Sequence, residues 1–329
     1  MNTELLNHFL SKRKTVPERI AAGKALRLKF PRIQQAEYKP APDRADPVSI
    51  LEKQAKTRLQ ELVPVRYARM LTSPFAFLRG GAAVMAADLS AGPETTGLTV
   101  QACGDMHVAN FGLFASAERR LVLGINDFDE TIPGPWEWDL KRFAASIVAS
   151  GRFIGASEDL CNASVLAAVK SYRKYMHRYA PMGNLDLWYT TIKGRDTLDT
   201  MTPTQRKRAE KLMQQARSHT HMQVLEKLTD IVDEQHRIRL NAPFIVRQTH
   251  TQSGRSMNEA MGLFLESYYK SLGNDRKKML ENYRIVDVVR KIVGVGSVGT
   301  RCWVLFMMGN HSNDPLFLQI KEAQPSVLE

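Results

Sequence analysis

The last fifty residues restrict the fold more than any other part of the chain. VVRKIVGVG, TRCWVLFMM and LFLQIKEA are short runs of β-branched and apolar residues, joined by a glycine-rich loop and a polar GNHSNDP turn, and they read as three strands. The loop has a G-x-G-x-x-G spacing at Gly294, Gly296 and Gly299, a common way to bring backbone N–H groups up to phosphate. In a dinucleotide-binding fold such a turn opens a helix, with an acidic residue about 20 residues further on. Here it opens TRCWVLFMM, which favours a strand. Lys321 follows on the next run, twenty-two residues after Gly299. A plain glycine-rich hairpin is the alternative for the motif taken alone.

Upstream, the pattern is different. Leu140, Phe143, Ala144, Ile147 and Val148 recur at helical spacing, as do Val165, Val169, Tyr172 and Met176, and then Met261, Phe264, Leu265, Tyr268 and Leu272. Thr202 before Pro203 suits a helix start. Residues 140–280 therefore read as mainly helical. PVSILEKQAKTRLQELVPVRYARML reads as one helix, and SPFAFLRGGAAVMAADL as a loop leading into another. GLTVQAC and LVLGIND read as short strands. The expected organisation is a basic N-terminal arm (1–47), a helical domain (48–280) and a partial sheet (281–329).

Composition narrows the function classes. Three cysteines lie far apart, without a C-x-x-C, so neither a zinc ribbon nor a disulfide framework is indicated and a reducing cytoplasm fits. The N-terminal MNTELLNHFLSKRKT is charged too early for a signal peptide, and no window reaches the ~18 apolar residues of a membrane span. The net charge of +12 points to an anionic partner: nucleotide, phosphorylated metabolite, nucleic acid or anionic membrane surface.

The chemistry concentrates in C-G-D-M-H-V-A-N-F-G. Asp105 and Asn110, five residues apart on a loop after a strand, form the pair that phosphoryl transfer needs: a base for an acceptor hydroxyl and a magnesium ligand. Asp127, seventeen residues after Asn110 at the end of the next strand, suits a hard cation bridging phosphate oxygens. Singly, each also suits a turn residue bonded to its own backbone. Their joint order and spacing carry the assignment. His107, Asp129 and Arg79 are supporting candidates, with structural hydrogen bonding as the alternative for Arg79 and an interior position for His107. Trp136 and Trp138 read as core packing beside the site.

GDMHVANFG followed by INDFDETIPGPWEWDLKR resembles the catalytic and metal-binding segments of aminoglycoside phosphotransferases and other protein-kinase-like enzymes. That resemblance implies Asp105 as catalytic base, Asn110 and Asp127 as magnesium ligands, and Asp139 as a structural carboxylate at the start of the next helix. Cys103 stands where many such enzymes have His. More closely, PVRYARMLTSPFAFLRG, CGDMHVANFG, NDFDETIPGPWEWDLKR, VGVGSVGTRCWVLF and DPLFLQIKEA resemble the bacterial domain of unknown function 2252 family, over almost the whole chain.

The implied fold is α+β and protein-kinase-like, mostly helical with short strands around the site. The Gly294–Gly299 loop and Lys321 would cover ATP phosphates. Because these parts follow the catalytic loop, where kinases have them before it, the resemblance implies circular permutation. Members of the family continue past PSVLE, so the chain is expected to be C-terminally incomplete. It would then lack the adenine hinge and a helix carboxylate for Lys321. The implied activity is an ATP- and magnesium-dependent phosphotransferase acting on an unidentified small-molecule or protein acceptor, or an inactive fragment of one. Weak ATP binding, little turnover and self-association through an exposed sheet edge are expected. A nonenzymatic nucleotide-binding or interaction module is the second reading. A basic nucleic-acid-binding protein is the third, without any nucleic-acid motif to support it.

Overall fold

The computed structural model describes residues 3–38, 40–92, 94–218, 221–251 and 254–329. The chain is α+β, about half helical, with small antiparallel sheets. The strands are Thr99–Ala102 (β1), Phe111–Ala115 (β2), Leu121–Ile125 (β3), Ile132–Pro135 (β4), Ile192–Lys193 (β5), Thr229–Val232 (β6), Gln235–Ile238 (β7), Ile245–Val246 (β8), Arg284–Lys291 (β9), Cys302–Met308 (β10) and Pro315–Lys321 (β11). No helix among the described residues is long and apolar enough to cross a membrane.

The main core surrounds the sheet β11-β10-β9-β8, in which β10 is buried from Val304 through Met308. Side chains alternate across a strand, so the continuous apolar run of β10 needs cover on both faces. Val304, Phe306 and Met308 pack with Leu225, Ile238 and Val289, under the helix His221–Leu228 and the β6-β7 hairpin. Leu305 and Met307 pack with Met261, Phe264 and Leu265 of the helix Met257–Ser271. This cover comes from residues 221–280, so the packing crosses the expected domain boundary at 281. Periodicity alone missed β6 and β7, because TDIVDEQHRI spends its turn on Asp233 and Glu234, both in left-handed backbone without a glycine, and β8 because it is only two residues long.

The single helix expected over residues 47–71 is instead two helices, Pro47–Ala55 and Val63–Met70, separated by a short 3-10 turn at Gln60–Leu62. Pro64 explains the break: it lacks an N–H, and its ring excludes the carbonyl four residues before it in a continuing helix. The Gln60 amide closes the gap by donating to Ala55 O (3.0 Å) and Arg58 O (2.9 Å). SPFAFLRG is also helical, over Pro74–Gly80, with Ser73 as N-cap. In the N-terminal arm, Val16–Lys29 is a helix closed by a Thr15–Glu18 capping box. The arm is pinned to the body where Arg44 donates to both oxygens of Asp88 (2.6 and 2.8 Å).

The site is positioned by a nested pairing. β2 pairs with β3, and β1 pairs with β4 outside them, with Phe111 opposite Ile125 and Ala102 opposite Ile132. The segment between β1 and β2 must therefore lie beside the segment between β3 and β4. Those two segments are 103–110 and 126–131, which hold the candidate residues Asp105, Asn110, Asp127 and Asp129.

Candidate functional site

The two segments touch at Gly104 and Glu130. Gly104 has φ +85°, and a Cβ there would fall 2.3 Å from Glu130 O, so only glycine allows the approach. From the far side, Asp139 in the first turn of the helix Trp136–Phe153 accepts the N–H groups of Cys103 (2.6 Å) and Gly104 (3.0 Å). Cys103 Sγ donates to Asp127 O (3.3 Å), tying one loop to the other. Burial pushes the Cys103 thiol up to about 11, which leaves it unreactive.

Asn110 is buried at the end of a 3-10 turn. Its Nδ2 donates to Asp105 O (2.7 Å), leaving its amide oxygen as the group available to a cation. Asn126 N donates to Asn110 O (3.0 Å), joining the loops again. Asp127 is exposed, and its Oδ1 accepts only the distant Asp129 N–H (3.4 Å).

Asp105 is held by a residue that sequence reasoning passed over. Arg142, only 3% exposed, donates to Asp105 Oδ1 through Nη2 and through Nε (2.8 Å), and its Nη2 also reaches Leu78 O (2.6 Å). The signal was present: Asp139 and Arg142 are three residues apart in WDLKR, on one helix face. Burial nevertheless raises the Asp105 carboxyl to about 6, against the pull of Arg142. His107 lies 3.8 Å from Asp105 Oδ2, but burial, with Arg79 and Arg142 nearby, lowers it to about 4. It is therefore neutral, and this contact is not an ion pair at neutral pH. The ring packs edge-on against Phe75.

The glycine-rich loop reaches the same place from the other end of the chain. Leu59 N donates to Gly299 O (2.8 Å), and Arg69 Nη1 donates to Gly294 O (2.6 Å). Val298 is fully buried against Leu59 and Leu62, so the loop is anchored at its tip. Gly299 has φ +90°, and a Cβ would sit 3.0 Å from Arg58 Cβ. Gly296 lies against Arg79 O. At the end of β11, Lys321 Nζ pairs with Asp129 Oδ2 (2.8 Å), on the loop after β3. Burial works against the ammonium, but Asp129 and Asp127 raise its pKa on balance. The following segment returns to the loop, with Val327 N donating to Glu130 Oε2 (2.8 Å).

One cavity of about 340 Å³ is lined by Asp105, His107, Asn110, Asp127, Asp129, Arg79, Gly294, Gly296 and Lys321 together. Gly299 is not part of the lining but shapes the loop beside it. Asp139 acts from behind, through the backbone it holds. Trp136 stacks on Tyr172 and donates to Thr96 Oγ1 (2.9 Å), away from the cavity lining. Among the described residues no three His, Cys, Asp or Glu side chains gather as a metal cage. Magnesium does not need one, since it is commonly held by one or two carboxylates with water and substrate phosphates. Asp127 and the Asn110 oxygen fit that mode.

Residues 58–329 match the model of a family described as "Uncharacterized protein conserved in bacteria (DUF2252)". The match covers most of the chain, which belongs to that family. No curated protein matches the chain, and no solved structure does.

Proposed function

We propose that this DUF2252 chain carries a magnesium-dependent nucleotide site of phosphotransferase type, in a kinase-like arrangement whose order along the chain is circularly permuted. The observation that carries the reading is the shared cavity. Asp105, Asn110, Asp127, the Gly294–Gly299 loop and Lys321 lie up to 216 residues apart, yet they border one space. A glycine-rich connection between antiparallel strands, followed by a strand ending in lysine, supports the kinase-like comparison.

In this reading Asp105 accepts the proton of an acceptor hydroxyl. A carboxyl at about 6 is mostly ionised at neutral pH and still basic enough to take a proton. Arg142 fixes its orientation, leaving Oδ2 without that guanidinium. Asp127 and Asn110 would hold magnesium, which supplies charge neutralisation on the phosphate oxygens. Lys321, steadied by Asp129, and the backbone of the glycine loop would hold the phosphates. Asp139 keeps the 103–110 loop in register with the helix behind it.

Calorimetric titration of ATP tests the assignment. Binding is expected with magnesium, is expected to weaken sharply with EDTA, and is expected to fall at least tenfold in Asp127→Ala. ATP binding that is equal with EDTA and equal in Asp127→Ala would refute the magnesium site.

A further inference from the structure

Three arginines line the same cavity and have no part in the roles above. Arg58 follows the helix Pro47–Ala55, Arg66 lies on Val63–Met70, and Arg79 on Pro74–Gly80. Arg66 is 0% exposed and Arg58 7%. Arg66 uses Nη2 alone, toward Gln54 Oε1 (2.6 Å) and Gly80 O (2.8 Å), and its Nε and Nη1 are buried without partners. Arg58 donates Nη1 to Val298 O (2.6 Å), and its Nε is unpartnered. Arg79 Nε is buried and unpartnered as well. Among the described residues, no carboxylate pairs with any of the three.

Glu130 and Glu322 border the same cavity and favour the charged form of Arg58 through space, but neither pairs with it, and buried cations without a direct partner are costly, by several kcal/mol per ion. Arg66 alone could serve as a strut between Gln54 and Gly80. Arg58 and Arg79, on separate segments and without an ion-pair partner among the described residues, border the same cavity, and a strut does not explain them. Burial, reinforced by Arg66, lowers Arg58 to about 10, which still leaves it charged at neutral pH. An anion bordering this cavity would supply the direct partner that the arginines lack. A tetrahedral phosphate offers oxygens in several directions, whereas a planar carboxylate serves one fork at a time. The arginines extend from beneath Gly299, where Arg58 packs, to the neighbourhood of His107, whose protonation Arg79 opposes.

We propose that Arg58 and Arg79, with the enclosed Arg66 adding positive charge behind them, form an anion subsite of this cavity that takes a phosphate or pyrophosphate group. The subsite rests on the nucleotide reading only for the source of that group, which is either the end of the nucleotide's phosphate chain or a phosphate carried by the acceptor.

The probe is inorganic pyrophosphate, titrated by calorimetry in EDTA into the full chain and into folded Arg58→Gln and Arg79→Gln variants. Arg66→Gln is avoided because it removes a fully buried strut. The subsite predicts binding by the parent and at least tenfold weaker binding by each variant, with succinate binding far more weakly than pyrophosphate. No binding by the parent, or equal affinity in both folded variants, would overturn it. A second titration in saturating magnesium ATP separates the sources. Exclusion of pyrophosphate assigns the subsite to the nucleotide, and simultaneous binding assigns it to a phosphorylated acceptor. Arginine-dependent pyrophosphate binding without any ATP binding would refute the phosphotransferase reading and leave the subsite standing. Magnesium-dependent ATP binding with arginine-independent pyrophosphate binding would do the reverse.

Discussion

Replacing Asp105 with Asn should stabilise the protein at neutral pH. Burial raises this carboxyl from 3.8 to about 6 even with Arg142 beside it, so the folded state prefers the neutral form. The unfolded chain has no such preference. The favourable contribution of the neutral carboxyl is therefore full below about 3.8 and is lost as pH rises through about 6. The shift corresponds to ~3 kcal/mol of cost for holding the charged group at pH 7.5. Asn keeps the shape and an oxygen for the Arg142 N–H groups but never ionises. Urea unfolding at pH 4.5 and pH 7.5 measures the difference. The Asp105→Asn variant should be more stable than the parent by up to ~3 kcal/mol at pH 7.5, and the gap should shrink severalfold at pH 4.5. A variant that is less stable at both pH values by the same amount would show that Asp105 is a structural ion-pair partner of Arg142, and the reasoning would fail.

Arg142→Met removes the guanidinium bonded to Asp105, and an opposite charge at this range holds a carboxylate down by about 1 to 3 units. A carbon-detected NMR titration of the Asp105 carboxyl should therefore move its midpoint upward from about 6 by at least one unit; no movement would remove Arg142 from the account. Asp139→Ala deletes the acceptor of two backbone N–H groups, each charge-assisted bond contributing about 1.5 to 3 kcal/mol. Hydrogen exchange at the Cys103 and Gly104 amides should quicken at least tenfold, while exchange in β10 changes far less. Leu305→Ala empties a fully buried position between the sheet and the helix Met257–Ser271, and should cost ~2 to 5 kcal/mol in urea unfolding.

What could be read from residues alone followed the physics of each signal. The strands β9, β10 and β11 were legible because β-branched runs were separated by glycine and polar turns, and the 103–110 and 126–131 loops stood out by the spacing of Asp105, Asn110 and Asp127. Asp139 was legible through the motif in which it sits. Arg58 and Arg66 were not, because a buried arginine has the same local pattern as an exposed one and only the fold shows which side is covered, while Arg142 left a trace only in its spacing from Asp139. The gap in the helix over residues 47–71 had a visible cause in Pro64. Its use, docking Gly299 through Leu59, depends on a contact across more than two hundred residues. The nested pairing of β1 with β4 around β2 and β3 was likewise invisible, since β2 and β4 are short and offer weak alternation.

The central claim is that phosphates of a nucleotide lie beside Lys321. An acyl-phosphate derivative of ATP reports on this directly, because a lysine amine close to the phosphates attacks the acyl carbon and keeps the tag as the nucleotide leaves. Peptide mass spectrometry of the labelled chain should find the tag on Lys321, with labelling suppressed by excess magnesium ATP. Tagging spread over surface lysines, absent from Lys321 and insensitive to magnesium ATP, would contradict the claim.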